Sequence, residues 1–273
     1  MPGSFTRLTN DLVVARRRVI LNDWGLDKGG KTHFALTFAS PDFPLFYIDL
    51  DNSAEGTVEK FIEKGCWIEY TTYGLKADAV PASYAKVLAQ FQVDFDTALD
   101  AAQSTPGATV VVDTGAQLWD VVQVAKLEEV RKRRTDLWAS EKDPDKRAKA
   151  MAGEIPILPL DYRESNALMA RYWSAAQQAK GVNVIFTNRA KDVYDDKGKK
   201  TGDVEMDGWK WTMGAAQMSL YHYKVAGNPQ AADPTLRAPK FKARISSCRF
   251  EPMLEGLVID QPDAQKLREY LWG

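Results

Sequence analysis

The chain has 273 residues, of which 45% are hydrophobic and 27% charged, the proportions of an ordinary folded domain rather than a disordered one. No apolar run approaches the roughly 20 residues of a bilayer crossing. The opening MPGSFTRLTNDLVVARRR has no apolar stretch long enough for a signal peptide, so a cytoplasmic location is expected. The formal net charge of −1 gives no overall attraction to nucleic acid, and any such contact must come from a local basic patch.

Residues 1–17 are mixed and polar, and then Arg18-Val19-Ile20-Leu21-Asn22 reads as a buried strand running directly into a glycine-rich stretch. A helix over 33–39 follows, and Ser40-Pro41 stops it because proline has no amide hydrogen to give. Runs at 44–51 and 66–70 read as strands, the first ending in the carboxylates Asp49 and Asp51. Val87, Leu88, Phe91, Phe95 and Leu99 recur at helical spacing and predict a helix over 85–102. Thr105-Pro106-Gly107 then turns the chain into the β-branched strand Thr109-Val110-Val111-Val112-Asp113.

Charged helical sequence fills 118–152, and Ile155-Pro156-Ile157-Leu158-Pro159 interrupts it before a second helix over 162–179, which Gly181 caps. The next buried strand, 182–187, continues through Arg189 to Tyr194. There Asp195-Asp196-Lys197-Gly198 signals a turn, and a return arm as far as Trp209-Lys210-Trp211 makes an extended β-hairpin. Strands at 219–225, 241–249 and 257–259 and a helix over 263–271 complete the chain.

Strands that alternate with helices, each a near-continuous apolar run, predict an α/β fold. Its central sheet is expected to be mostly parallel and flanked by helices, with the hairpin and C-terminal antiparallel strands added. One domain spanning 1–273 is expected, since a single core of this size is near its practical limit. Cys66 and Cys248 match no metal-ligand spacing and are expected to be buried, reduced thiols.

The glycine-rich stretch Gly25-Leu26-Asp27-Lys28-Gly29-Gly30-Lys31-Thr32 matches G-x-x-x-x-G-K-[ST] in full, with an apolar strand before it and a helix after. In that pattern Gly25, Gly29 and Gly30 let the backbone curl so that amide hydrogens point at phosphate oxygens, and a helix N-terminus adds its positive end. Lys31 is then expected to reach the β- and γ-phosphates, Thr32 to ligate Mg²⁺, and His33 to border the site. Lys28 either adds positive charge there or faces solvent. Asp113, at the end of its strand, is placed to hold Mg²⁺ with Thr32 or else to cap the following helix. Asp51, Asp49 and Glu55 are candidates to orient an attacking water. Arg189 is a candidate sensor of the terminal phosphate or an arginine finger, unless a surface carboxylate claims it.

The order of these motifs resembles that of RecA-superfamily ATPases, and more narrowly of the small phage-encoded AAA/RecA-type ATPases associated with single-strand annealing and recombination. The resemblance rests on 25–32, on the strand ending Asp49-Leu50-Asp51, on 110–113 with Thr114, and on 184–188; Asp161-Tyr162-Arg163-Glu164-Ser165-Asn166 is also similar. It covers about 18–225. What it implies is an ATPase using ATP and Mg²⁺, with Asp51 at the position where an acidic residue primes water. That family more often has glutamate there, which is one carbon longer.

The resemblance further implies a homo-oligomer, ring or filament, in which a neighbour's basic residue completes the site. Lys240, Lys242 and Arg244 alternate onto one strand face and resemble such a finger, or else protect an exposed edge strand. It implies single-stranded DNA and a phage single-strand-binding or recombination protein as partners, with no membrane. The basic residues in the corresponding regions are Arg131, Lys132, Arg133 and Arg134, with Lys146, Arg147 and Lys149 beyond, and then Lys191, Lys197, Lys199, Lys200 and Lys210. Trp138, Tyr194, Trp209 and Trp211 lie among them, and cations beside aromatic rings suit single strands. A solvated helix face and rings packed on the sheet account for the same residues. A nucleotide-dependent assembly protein and a small-molecule kinase are the other functions this sequence accommodates.

Overall fold

The structure, a computed structural model, describes residues 18–75, 79–139, 142–151, 158–231 and 233–273; the polar start 1–17 and most of the interruption at 155–159 lie outside them. Among the described residues the strands are β1 (Ile20–Gly25), β2 (Leu45–Asp49), β3 (Ile68–Thr72), β4 (Thr109–Asp113), β5 (Asn183–Tyr194), β6 (Lys200–Met206), β7 (Met218–Val225), β8 (Lys240–Cys248) and β9 (Val258–Asp260). The helices are α1 (Lys31–Leu36), α2 (Val58–Ile62), α3 (Pro81–Gln103), α4 (Gly115–Ala139), α5 (Pro144–Met151), α6 (Arg163–Gln178), α7 (Thr212–Ala215) and α8 (Ala264–Trp272).

The strands form one sheet in the order β3-β2-β4-β5-β1-β7-β8-β9. Neighbours are parallel from β3 to β7, whereas β8 and β9 are antiparallel, and β6 pairs antiparallel with the outer part of β5. The fold is therefore α/β with a mostly parallel mixed sheet flanked by helices.

Strand alternation divides the core between the two faces. Val110, Val112, Val184 and Phe186 join Phe91, Phe95, Tyr172 and Trp173 in one cluster, under α3, α4 and α6. Val111 and Ile185 point the other way and join Leu21, Phe34, Tyr47, Phe61, Leu220, Ile245 and Leu267, under α1, α2 and α8. β4 is buried along its whole length because it has a neighbour on each edge and helices on each face. Proline at the first turn of α3 costs no hydrogen bond, and Leu88, Phe91, Phe95, Ala98, Leu99 and Ala102 line the helix's buried side.

Several elements differ from their sequence-based bounds for identifiable reasons. β1 runs on to Gly25 and carries Asn22 and Asp23 into the interior, a burial of polar groups that an apolar periodicity cannot signal. The charged stretch after 115 is two helices, α4 and α5, rather than one. The hairpin's return arm stops at Met206. Beyond it Trp209 turns inward, donates its indole N–H to Asn166 Oδ1 at 2.9 Å and packs in the α3–α4–α6 core, while Trp211 stays exposed beside Lys210. Both cysteines are free; Cys248 is buried and Cys66 only partly so. Among the described residues no helix is long and apolar enough to cross a membrane.

Trp173 and Phe186 stack with ring centroids 4.3 Å apart in the middle of the first core cluster. Trp173→Ala is expected to lower the unfolding free energy by about 3–5 kcal/mol. Denaturant titration followed by circular dichroism measures it, and a loss below about 1 kcal/mol would remove this stack from the core's main supports.

Candidate functional site

Parallel strands deliver their carboxyl ends to one edge of the sheet, where α/β folds place ligands, and the candidate residues gather there. β1 ends at Gly25 with φ 154°, and a Cβ at that position would collide with the carbonyl oxygen of His222 on β7. Gly30 opens α1 in the left-handed region, φ 100°, against the ring of Phe241 from β8. Lys28 is also left-handed, with φ 55°, and is exposed on the rim. The loop closes on itself through Gly29 N–H donating to the Leu26 carbonyl at 3.1 Å. Lys31 is folded into it, its Nζ donating to the carbonyls of Gly25 at 3.1 Å and Leu26 at 2.9 Å.

Opposite the loop, the buried carboxylate of Asp113 collects four hydroxyl groups. Oδ2 accepts from Thr32 Oγ1 at 3.0 Å, from Ser53 Oγ at 3.2 Å and from the phenol of Tyr47, and Oδ1 accepts from Thr187. Thr32 comes from α1, Tyr47 from β2, Ser53 from the turn after it and Thr187 from β5. Burial and the Asp113 charge hold the Tyr47 pKa well above the ordinary tyrosine range, so Tyr47 remains a donor.

The turn after β2 is organised by Asp49, which is fully buried. It accepts from the backbone N–H groups of Asp51, Ser53 and Ala54 and from the phenol of Tyr70 at 2.8 Å. Burial raises the Asp49 pKa, against the pull of the Ala54 amide and the Tyr70 hydroxyl. Asp49 is thus a turn organiser, and it leaves Asp51 at the mouth of the site. Glu55 is exposed and does not line it.

Arg189 Nη2 donates to Asp51 Oδ2 at 2.8 Å. Burial opposes the Arg189 charge, but the hydrogen bond and charge of Asp51, with Asp27 and Asp120 nearby, outweigh it and raise the pKa. The guanidinium therefore has a carboxylate partner, Asp51, which itself lines the site. Just before it in the strand, Asn188 Nδ2 donates to Asn22 Oδ1 at 2.9 Å, and Asn22 Nδ2 donates to Ser219 Oγ at 3.2 Å, an amide line that ties β5, β1 and β7 together inside the sheet.

These groups enclose a cavity of about 510 Å³ bounded by 27–33, Asp51, Ser53, Thr57, Asp113, Thr114, Arg189 and Phe241. Every residue of the glycine-rich motif expected to bind the nucleotide is on or next to it. His33 forms part of the wall beside Phe61, and burial, with Lys64 and Lys60 adding to it, lowers its pKa. Tyr47, Ser53, Tyr70 and Phe241 carry no motif, and only the fold shows that they belong here. Thr187 lies in a segment the sequence did single out, but its role on Asp113 depends on the register between β4 and β5.

The other candidates lie elsewhere. Phe241 reaches the cavity, so Lys240, Lys242 and Arg244, alternating with it on β8, occupy the opposite face. Lys242 pairs with Asp260 at 2.8 Å and Arg244 lies 5.6 Å from the Tyr221 ring centre. Of the basic residues considered for DNA, Arg133 pairs with Glu164 at 2.7 Å, Arg131 with Glu128 at 3.8 Å, Arg134 with Asp161 and Lys200 with Asp192. Among the described residues no ion pair engages Lys132, Lys197 or Lys199. Trp138 has no described side chain, and Tyr194 is exposed on the hairpin.

No protein-family model matches the chain, and no curated protein matches it in sequence.

The Tyr47 phenol donates only while neutral. With its pKa raised above the unfolded value of about 10, that contribution is complete below pH 10 and lost as pH climbs through the folded-state value. Tyr47→Phe is expected to cost about 1.5–3 kcal/mol at pH 7, the range for hydrogen bonds to charged groups. The deficit should shrink above pH 10. Unfolding midpoints of both proteins from pH 7 to 11 measure it, and a deficit constant over that range contradicts the assignment.

Proposed function

We propose that this chain is a RecA-like, Mg²⁺-dependent ATPase. The reading is carried by one observation: Lys31 and Thr32 of the glycine-rich motif, Asp113, Asp51 and Arg189, from four separate segments, bound a single cavity at the carboxyl edge of the parallel sheet. The succession of the loop strand β1, the aspartate-ending strands β2 and β4, and the strand β5, which carries Thr187-Asn188-Arg189 where its pairing with β1 ends, supports the RecA-like assignment.

In this reading the triphosphate occupies the loop, and Lys31 exchanges the carbonyls of Gly25 and Leu26 for phosphate oxygens, which return a full negative charge to the ammonium. Thr32 and Asp113 offer a hydroxyl and a carboxylate, the hard oxygen donors that Mg²⁺ selects. Among the described residues no cluster of three or more His, Cys, Asp or Glu could hold a metal alone, which suits an ion that takes its remaining ligands from phosphates and water. Bound there, Mg²⁺ would neutralise charge on the phosphate oxygens. Asp51 is the carboxylate available to orient water, but Arg189 occupies it. A terminal phosphate competes for that guanidinium, and Asp51 is then left to accept from the water. Phe241 offers an apolar face on the wall, and ATP is favoured as substrate by the resemblance rather than by that face.

Single-stranded DNA, in phage recombination or replication, is the effector the resemblance implies, with assembly into a homo-oligomer. The pairing of Arg131, Arg133, Arg134 and Lys200 with the protein's own carboxylates favours a second reading, a nucleotide-dependent assembly protein that binds no DNA.

Lys31→Ala is expected to lose Mg-ATP binding by at least tenfold, measured by calorimetry. Asp51→Asn is expected to keep binding and lose turnover. Unchanged affinity in the Lys31 variant would falsify the site. Turnover that rises with added single-stranded oligonucleotide supports the DNA reading, and turnover that responds only to protein concentration supports the assembly reading.

A further inference from the structure

Directly beneath the glycine-rich loop lies a buried pair that the proposed chemistry does not use. Asp23, two residues before Gly25 on β1, and His222, level with Gly25 on β7, are both fully buried, and His222 Nε2 lies 2.7 Å from Asp23 Oδ1. Apart from that close contact, which is not a well-directed hydrogen bond, neither side chain has a hydrogen-bonding partner among the described residues. Burial raises the Asp23 pKa, against the pull of His222 and, more weakly, of Lys31.

His222 touches the loop from three sides. Its carbonyl oxygen fills the space a side chain would need at Gly25 and crowds that at Gly29, where a Cβ would lie 3.2 Å away. Its ring packs on Phe34 of α1 with centroids 5.0 Å apart. Its Nε2 meets Asp23 on the strand that leads into the loop. One residue therefore contacts the strand before the loop, the loop's backbone and the helix after it.

A lone buried carboxylate is costly, and an apolar pair of similar volume is often no less stable. A carboxylate beneath a loop that gathers anions also subtracts from the attraction Lys31 provides. We infer that Asp23 and His222 form a brace that shares one proton and carries no net charge, His222 being a positioning residue that holds the loop's backbone and keeps the pair neutral beneath it. The inference rests on the loop binding phosphates, as proposed above.

The test measures the affinity of the full chain for Mg-ATP and for inorganic tripolyphosphate, which reads the loop without a base. His222→Phe keeps the ring on Phe34 but leaves Asp23 uncompensated, and it is expected to weaken both ligands at least tenfold. Adding Asp23→Asn removes the charge and is expected to restore affinity to within threefold of wild type. His222→Gln, which keeps a donor near Asp23, is expected to recover most of the loss. Circular dichroism checks that each variant is folded. Should His222→Phe fail to fold, the comparison of His222→Gln with Asp23→Asn/His222→Gln decides, with the double variant expected to bind at least as tightly as the single.

An Asp23→Asn/His222→Phe variant that binds no more tightly than His222→Phe, an Asp23→Asn/His222→Gln variant that binds more weakly than His222→Gln, or a folded His222→Phe with wild-type affinity overturns the brace alone. A wild-type chain that binds neither ligand overturns the phosphate-binding reading, and the inference with it.

Discussion

Asp113 is the point on which the geometry of the site converges. A buried carboxylate is tolerable only where donors replace the water it has lost, and Asp113 draws its donors from α1, β2, the turn after β2 and β5. Satisfying that one group fixes four segments relative to each other. The loop, the Asp49 turn and the Thr187–Arg189 part of β5 are consequently held in one arrangement by the same carboxylate. Substitution at any of the four hydroxyls acts on the other three through the carboxylate they share.

The supporting layers repeat this economy on a smaller scale. Asp49 uses its oxygens on the backbone of its own turn, so Asp51 is free to face the cavity. The amide line Asn188–Asn22–Ser219 crosses three strands within the sheet, where apolar side chains would pack equally well but would not select one register. Polar groups placed inside β1 weaken the strand's apolar signature while fixing its neighbours.

Most of the framework was legible in the sequence because it depends on local signals. The apolar runs mark the strands, the glycines and Lys31-Thr32 mark the loop, and Asp113, Asp51 and Arg189 each follow an apolar run, which is what makes them candidates; the fold brings all three to one cavity. What could not be read was the relation between segments distant in the chain. Tyr47 and Ser53 look ordinary until β2 lies beside β4, and Asp23 and His222, about 200 residues apart, meet only because β7 pairs with β1. Phe241 sits unnoticed between two lysines. Trp209 and Trp211 look like strand residues and extend the expected return arm of the hairpin, whereas one turns into the core and the other opens a helix.

β5 has a mechanical meaning beyond its chemistry. It is a single strand from the buried register with β4 and β1 to the exposed Tyr194 at the hairpin, with Arg189 where the sheet ends and the hairpin begins. Beyond Arg189 the arm keeps β6 as its strand partner and leaves the parallel sheet behind. Its length from Arg189 to Tyr194 is about 17 Å at about 3.3 Å per residue. A rigid tilt of about 10° about Arg189 would sweep the tip through about 3 Å, so a small displacement at the cavity's edge would be enlarged at the far end of the hairpin.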